Sequence, residues 1–178
     1  HSYAKLIAEM ENVDAKTLFI LETAALTHDI GIHLCEEKYG NCNGKLQEKE
    51  GPAIAEKLLS DLGFSGEVSE RVQYLIAHHH TYNNIDGIDY QILVEADFLV
   101  NMCEDELSEE VLQNAYRNIF RTEAVLQPAG TGSGVVFVPA PVGLYTSAAV
   151  EPDDCVVLGF GDGADRVERA AEAGFESP

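Results

Sequence analysis

Positive charge is what this 178-residue sequence has least of: eleven lysines and arginines stand against 31 acidic residues, for a net charge of -20. A groove that tracks polyanionic phosphates needs the opposite balance, so a nucleic-acid polymer is excluded as the expected partner and an anionic membrane surface is disfavoured. A small phosphate ester needs only a local basic patch and stays allowed. Cysteine is sparse as well. Cys35, Cys42, Cys103 and Cys155 fall short of the density of a small disulfide-stapled scaffold, and reduced thiols are expected. No N-terminal stretch joins a basic start, an apolar run and a small-residue cleavage site, so the chain reads as cytoplasmic. An uncharged run from Ala124 to Val150 carries Pro128, Pro139, Pro141 and four glycines, which argues against a membrane helix there.

What is present is an ordinary globular balance, 46% hydrophobic and 24% charged. The chain is long enough for one domain, or for one domain plus a fragment. Residues 1–124 contain all six histidines and all the lysines, asparagines and isoleucines, whereas residues 125–178 contain none of these four types. Apolar spacing such as Val68, Val72, Leu75, Ile76 predicts helices over 2–12, 17–34, 47–62, 67–80, 89–103 and 108–121. Asp14 and Ser108 read as N-caps, and Gly63, Gly66 and Gly87 as punctuation. The second segment suggests strands over Val135–Val138 and Cys155–Leu158 and a helix over Ala164–Ala173. The fold expected is therefore mainly α, a bundle of about six helices over 1–124, with a short irregular or α/β appendage over 125–178.

The chemistry concentrates in LFILETAALTHDIGI, where His28 and Asp29 stand side by side at the end of an apolar helix. Burying an unpaired polar group there costs on the order of 2–7 kcal/mol, so a partner is required. Asp97 is a second such break, a carboxylate inside the apolar run YQILVEADFLVNM. Imidazole and carboxylate together suit a divalent transition metal, and one cation would satisfy all three groups. Two adjacent residues project about 100° apart on a helix, so His28 and Asp29 meet one ion only at an inward-facing turn. His78, His79 and His80 add imidazoles, with His1 upstream. The plainer readings are a His–Asp pair that hydrogen-bonds within itself and a histidine run at a helix C-terminus, where imidazolium favours the dipole.

With HDIG followed by ADF, residues 1–124 resemble the HD-domain metal-dependent phosphohydrolases, whose pattern is H…HD…D on a helical bundle. The resemblance implies His28, Asp29 and Asp97 as metal ligands, with His1 or a residue upstream as the first His. His79 and His80 fit the later positions of two-metal members, and Gln47 stands where such members carry a further histidine. It implies one divalent ion (Mn, Fe, Mg, Zn, Co or Ni) held tightly and at most a weak second. HHHTYNNIDGIDY is similar to a stretch of the cyclic-dinucleotide HD-GYP branch, but no GYP follows and Ile32 replaces that branch's Lys. IAHHHTY…VEADFLV resembles the symmetrical diadenosine tetraphosphate hydrolases equally. The implied activity is hydrolysis of a phosphate ester or anhydride of a small nucleotide-like substrate, with Asp29 and His28 as catalytic residues. The alternative is a non-catalytic HD module that binds a nucleotide.

Phosphate charge needs basic neighbours, and Lys38, Lys45 and Lys49 follow the HD helix. They read equally as solvated lysines among Glu36, Glu37 and Glu48. His33, Cys35 and Cys42 imitate part of a zinc site without a fourth ligand. Gly159, Gly161 and Ala164 imitate a dinucleotide fingerprint, and Gly130, Gly132 and Gly134 lack the ending of a P-loop. The uncharged run Val135–Tyr145 is apolar enough that burial or self-association is expected of it.

Overall fold

The computed structural model describes residues 1–104, 114–115, 117–126, 134–137 and 157–160. Its chain is mainly helical, as the apolar spacing predicts. It divides into two compact units, His1–Asp97 and Phe98–Pro178.

The first unit opens with α1 (Ser2–Met10), which buries Ala4, Ile7 and Ala8, one face of a helical repeat. Asp14 then caps α2 (Ala15–Thr27) as expected, its carboxylate accepting from the backbone N–H groups of Lys16 and Thr17 and from the Thr17 hydroxyl. Ile20, Leu21, Ala24 and Ala25 are its buried stripe, set against α1 and against α5 (Gly66–Ile76). The single helix expected over 17–34 is in fact two. Near the end of α2 the Thr23 and Thr27 hydroxyls donate to the carbonyls four residues back, loosening the ladder. Residues 28–31 then form a turn, and α3 (Ile32–Tyr39) starts anew, closed by Gly40 in the left-handed region at φ 70°. The stretch Ala15–Tyr39 has the length and apolarity of a membrane span, yet this break divides it and its buried residues pack inside the bundle.

Asn43 caps α4 (Gly44–Asp61), and Ser65 caps α5, whose Val68, Val72, Leu75 and Ile76 are buried as their spacing predicts. Gly31 and Gly51 are where α4 meets the 28–31 turn. A Cβ on Gly31 would lie 3.1 Å from the Gly51 backbone, and one on Gly51 would lie 2.8 Å from Ile76 Cγ2. Backbones approach so closely only because neither residue has a side chain. The helix α6 (Ile88–Glu104) buries Tyr90 and every residue from Ile92 to Ala96, so more than one of its faces is covered.

In the second unit, residues 114–115 and 117–118 are helical and α7 covers Glu123–Leu126. Phe98 and Phe120 meet edge to face with ring centres 6.0 Å apart. Strands β1 (Gly134–Phe137) and β2 (Val157–Phe160) pair antiparallel in the register Gly134 with Phe160 and Phe137 with Val157. Both expected strands exist, displaced by one and two residues. Antiparallel pairing is not the parallel arrangement that a dinucleotide fingerprint serves. Ser108, half of the helix expected over 108–121 and all of that over Ala164–Ala173 lie outside the described residues. The compositional shift at Val125 falls inside this second unit.

Candidate metal centre

The turn that splits the expected helix is the core of the site. His28 ends α2 with helical dihedrals and donates from Nδ1 to the Ala25 carbonyl at 3.1 Å, which fixes its ring and aims Nε2 away from its own helix. That Nε2 lies 3.2 Å from Asp29 Oδ2 and 3.4 Å from Asp97 Oδ1, a carboxylate supplied by α6. Burial works against an imidazolium at His28, but hydrogen bonds and charge from Asp29 and Asp97 outweigh it and raise its pKa to about 9. The hydrogen bond from His28 in turn holds Asp29 below the ordinary carboxylate range, against the opposing effect of burial.

The histidine run approaches Asp29 from the other side. Helix α5 ends at Ile76, and residues 77–80 form a turn instead of continuing it. His79 is fully buried and donates from Nδ1 to the Ile76 carbonyl at 2.7 Å. Burial, reinforced by the neighbouring His80, pushes its pKa down to about 4, so the ring is neutral and Nε2 carries a lone pair. Among the described residues that atom has no hydrogen-bond partner. It faces Asp29 Oδ1 at 3.9 Å, lone pair toward carboxylate, an arrangement that a cation between them would relieve. Donor atoms of Asp29, His79 and His80 all lie within 4.8 Å of one another. His28 and His79 meet edge to face at 5.3 Å, and each aims Nε2 at an oxygen of Asp29. The donor chemistry and the orphaned Nε2 fit a divalent ion.

The HD domain family model matches residues 2–117, well over half of the chain. The chain belongs to the HD-domain family. The HD domain marks a superfamily of metal-dependent phosphohydrolases that typically bind divalent metals and that also includes non-catalytic members. No curated protein and no solved structure matched the chain.

Of the residues that the HD pattern nominates, the structure brings together His28, Asp29, Asp97, His79 and His80. His1 lies elsewhere in its contacts: its Nε2 is 3.2 Å from Glu22 Oε1, which Lys5 also approaches at 3.3 Å. His78 turns aside, bonding the Tyr74 carbonyl and lying over the Tyr74 ring at 4.3 Å. Lys38 and Lys49 converge on Glu50 and Tyr39, and Lys45 is exposed. His33 is exposed while Cys35, two residues on, is buried, so their side chains diverge and form no zinc set. Gln47 is buried with Oε1 3.5 Å from His80 Nε2, beside the donor group. Sequence reasoning did not single out Glu48 and Tyr90, which bind the histidine turn. Their only sequence signal was polarity within otherwise helical segments.

Proposed function

We propose that this HD domain is a metal-dependent phosphohydrolase acting on a phosphate ester or anhydride of a small nucleotide-like molecule. The observation that carries the reading is the buried Nε2 of His79, without a hydrogen-bond partner among the described residues, facing the carboxylate that His28 also faces. His28, Asp29, Asp97, His79 and His80 would hold the metal. A divalent cation, when bound, lowers the pKa of water toward about 7 and polarises a phosphoryl oxygen.

The chain's own residues prepare that position. The Nδ1–H groups of His28 and His79 are spent on backbone carbonyls, which leaves Nε2 of each directed at Asp29. Asp29 turns Oδ2 toward His28 and Oδ1 toward His79, so its carboxylate would be available as a ligand on either side. Lys45 follows Gly44, whose backbone abuts the His80 ring, and is the lysine we assign to the substrate's phosphate charge. The amide of Gln47 is a poor transition-metal ligand compared with imidazole, which supports one tightly held ion and at most a weak second.

The test is a panel of phosphate monoesters, diesters and nucleotide anhydrides offered to the chain loaded with Mn²⁺, Co²⁺ or Zn²⁺. The reading expects turnover that Asp29→Ala and His79→Ala abolish. Tight metal retention with no turnover of any member would replace it with the non-catalytic module.

A further inference from the structure

His79 and His80, which share a donor group with Asp29, stand on no helix. With α5 ended at Ile76, the turn from His78 to Thr81 is closed locally by the Thr81 N–H donating to the His78 carbonyl at 2.7 Å. Its placement relative to Asp29 must come from outside, and two side chains supply it. From α6, the buried Tyr90 hydroxyl lies 2.8 Å from the His78 carbonyl and 2.5 Å from the Thr81 carbonyl, with one proton to give to either. From α4, Glu48 Oε1 accepts both from the His80 backbone N–H at 3.1 Å and from the Thr81 hydroxyl at 2.9 Å. The next residue back on α4 is Gln47, on the His80 ring, and the same ring packs where a Gly44 Cβ would lie 2.7 Å from it.

We infer that Glu48 is a positioning residue of the metal centre, acting through the His80 backbone and Thr81 to set His79 and His80 against Asp29. This rests on the metal reading above. Glu48 lies outside the donor set of Asp29, His79 and His80, and one of its oxygens is occupied by two donors. What the turn needs from it is an acceptor at a fixed place, not a negative charge. The helix that carries Glu48 also meets the His28–Gly31 turn through the Gly31–Gly51 contact, so one rigid element gauges both halves of the centre.

The experiment measures Co²⁺ affinity of the full chain from its visible absorption, with far-UV circular dichroism confirming the fold of each variant. Glu48→Ala is expected to weaken Co²⁺ binding on the order of 10- to 100-fold, as loss of a group that orients ligands does elsewhere. Glu48→Gln keeps the acceptor oxygen and is expected to remain within about threefold of the parent. Should Glu48→Ala fail to fold, Thr81→Val removes a single donor and is expected to cost about fivefold. Parent-like affinity in Glu48→Ala, or in Thr81→Val where it stands in, overturns the inference alone. So does a Glu48→Gln loss as large as that of Glu48→Ala, since charge would then be the operative property. A parent chain that binds no Co²⁺ overturns the metal reading and this inference with it.

Discussion

At the scale of single residues, the site is a case of polar groups whose pairing is incomplete without a cation. Helix-end hydrogen bonding would satisfy a lone His–Asp pair, and His28 does bond Asp29 and Asp97. It does not satisfy His79, whose buried Nε2 points at a carboxylate it cannot bond while neutral. His28, Asp29 and Asp97 were legible because each is a polar break in an apolar run, whereas His79 and His80 were nominated by the resemblance to two-metal HD members. The roles of Glu48 and Tyr90 were not legible, because an acid or phenol in a helix reads as surface until its partners are known. Lys38 and Lys49 show the converse. Placed near the HD helix in sequence, they meet Glu50 and Tyr39 instead. The Tyr39 hydroxyl, followed by the Lys38 ammonium, lowers the Glu50 pKa from 4.5 to about 2. A depressed folded-state pKa stabilises above the unfolded value, and that stabilisation is lost as pH falls through the folded one. Chemical denaturation of Glu50→Gln should therefore show a stability deficit at neutral pH that shrinks between pH 4.5 and about 2. A deficit that stays constant across that window would mean the ionised carboxylate is not what matters.

At the scale of elements, apolar periodicity placed α1, α4, α5 and α6 within a few residues, because each has a buried stripe. The error over 17–34 is instructive. Apolar residues continue past Thr27 into Ile30 and Ile32, so periodicity alone sees no stop, and the break comes from hydroxyl back-bonding and a turn that the two polar side chains occupy. The Gly31–Gly51 approach was equally invisible, since proximity between distant glycines has no local signature. It yields a direct expectation. Gly51→Ala pushes a methyl into Ile76 Cγ2 at 2.8 Å and should destabilise the chain by about 1–3 kcal/mol in denaturant titration. A neutral or stabilising effect would mean that α4 is free to retreat from the HD turn.

At the scale of the whole molecule, all the residues assigned to the metal lie in the unit His1–Asp97, and the family match ends at residue 117. The mainly helical architecture was legible from composition and spacing, and so were the two short strands of the second unit, displaced by one and two residues. A chain ending at Glu123 should retain its helical circular dichroism and bind metal as the full chain does; unfolding of that truncated form would require the entire sequence to be treated as one cooperative body. The central claim is that Asp29 joins His28 and His79 around a divalent ion. Metal analysis by mass spectrometry on the full chain purified without chelator tests this most directly, run beside Asp29→Ala and His79→Ala. The parent should retain one tightly bound divalent ion per chain, Asp29→Ala should retain none with its helical content intact, and His79→Ala should release its metal to a weak chelator. Full occupancy in a folded Asp29→Ala chain would contradict the account.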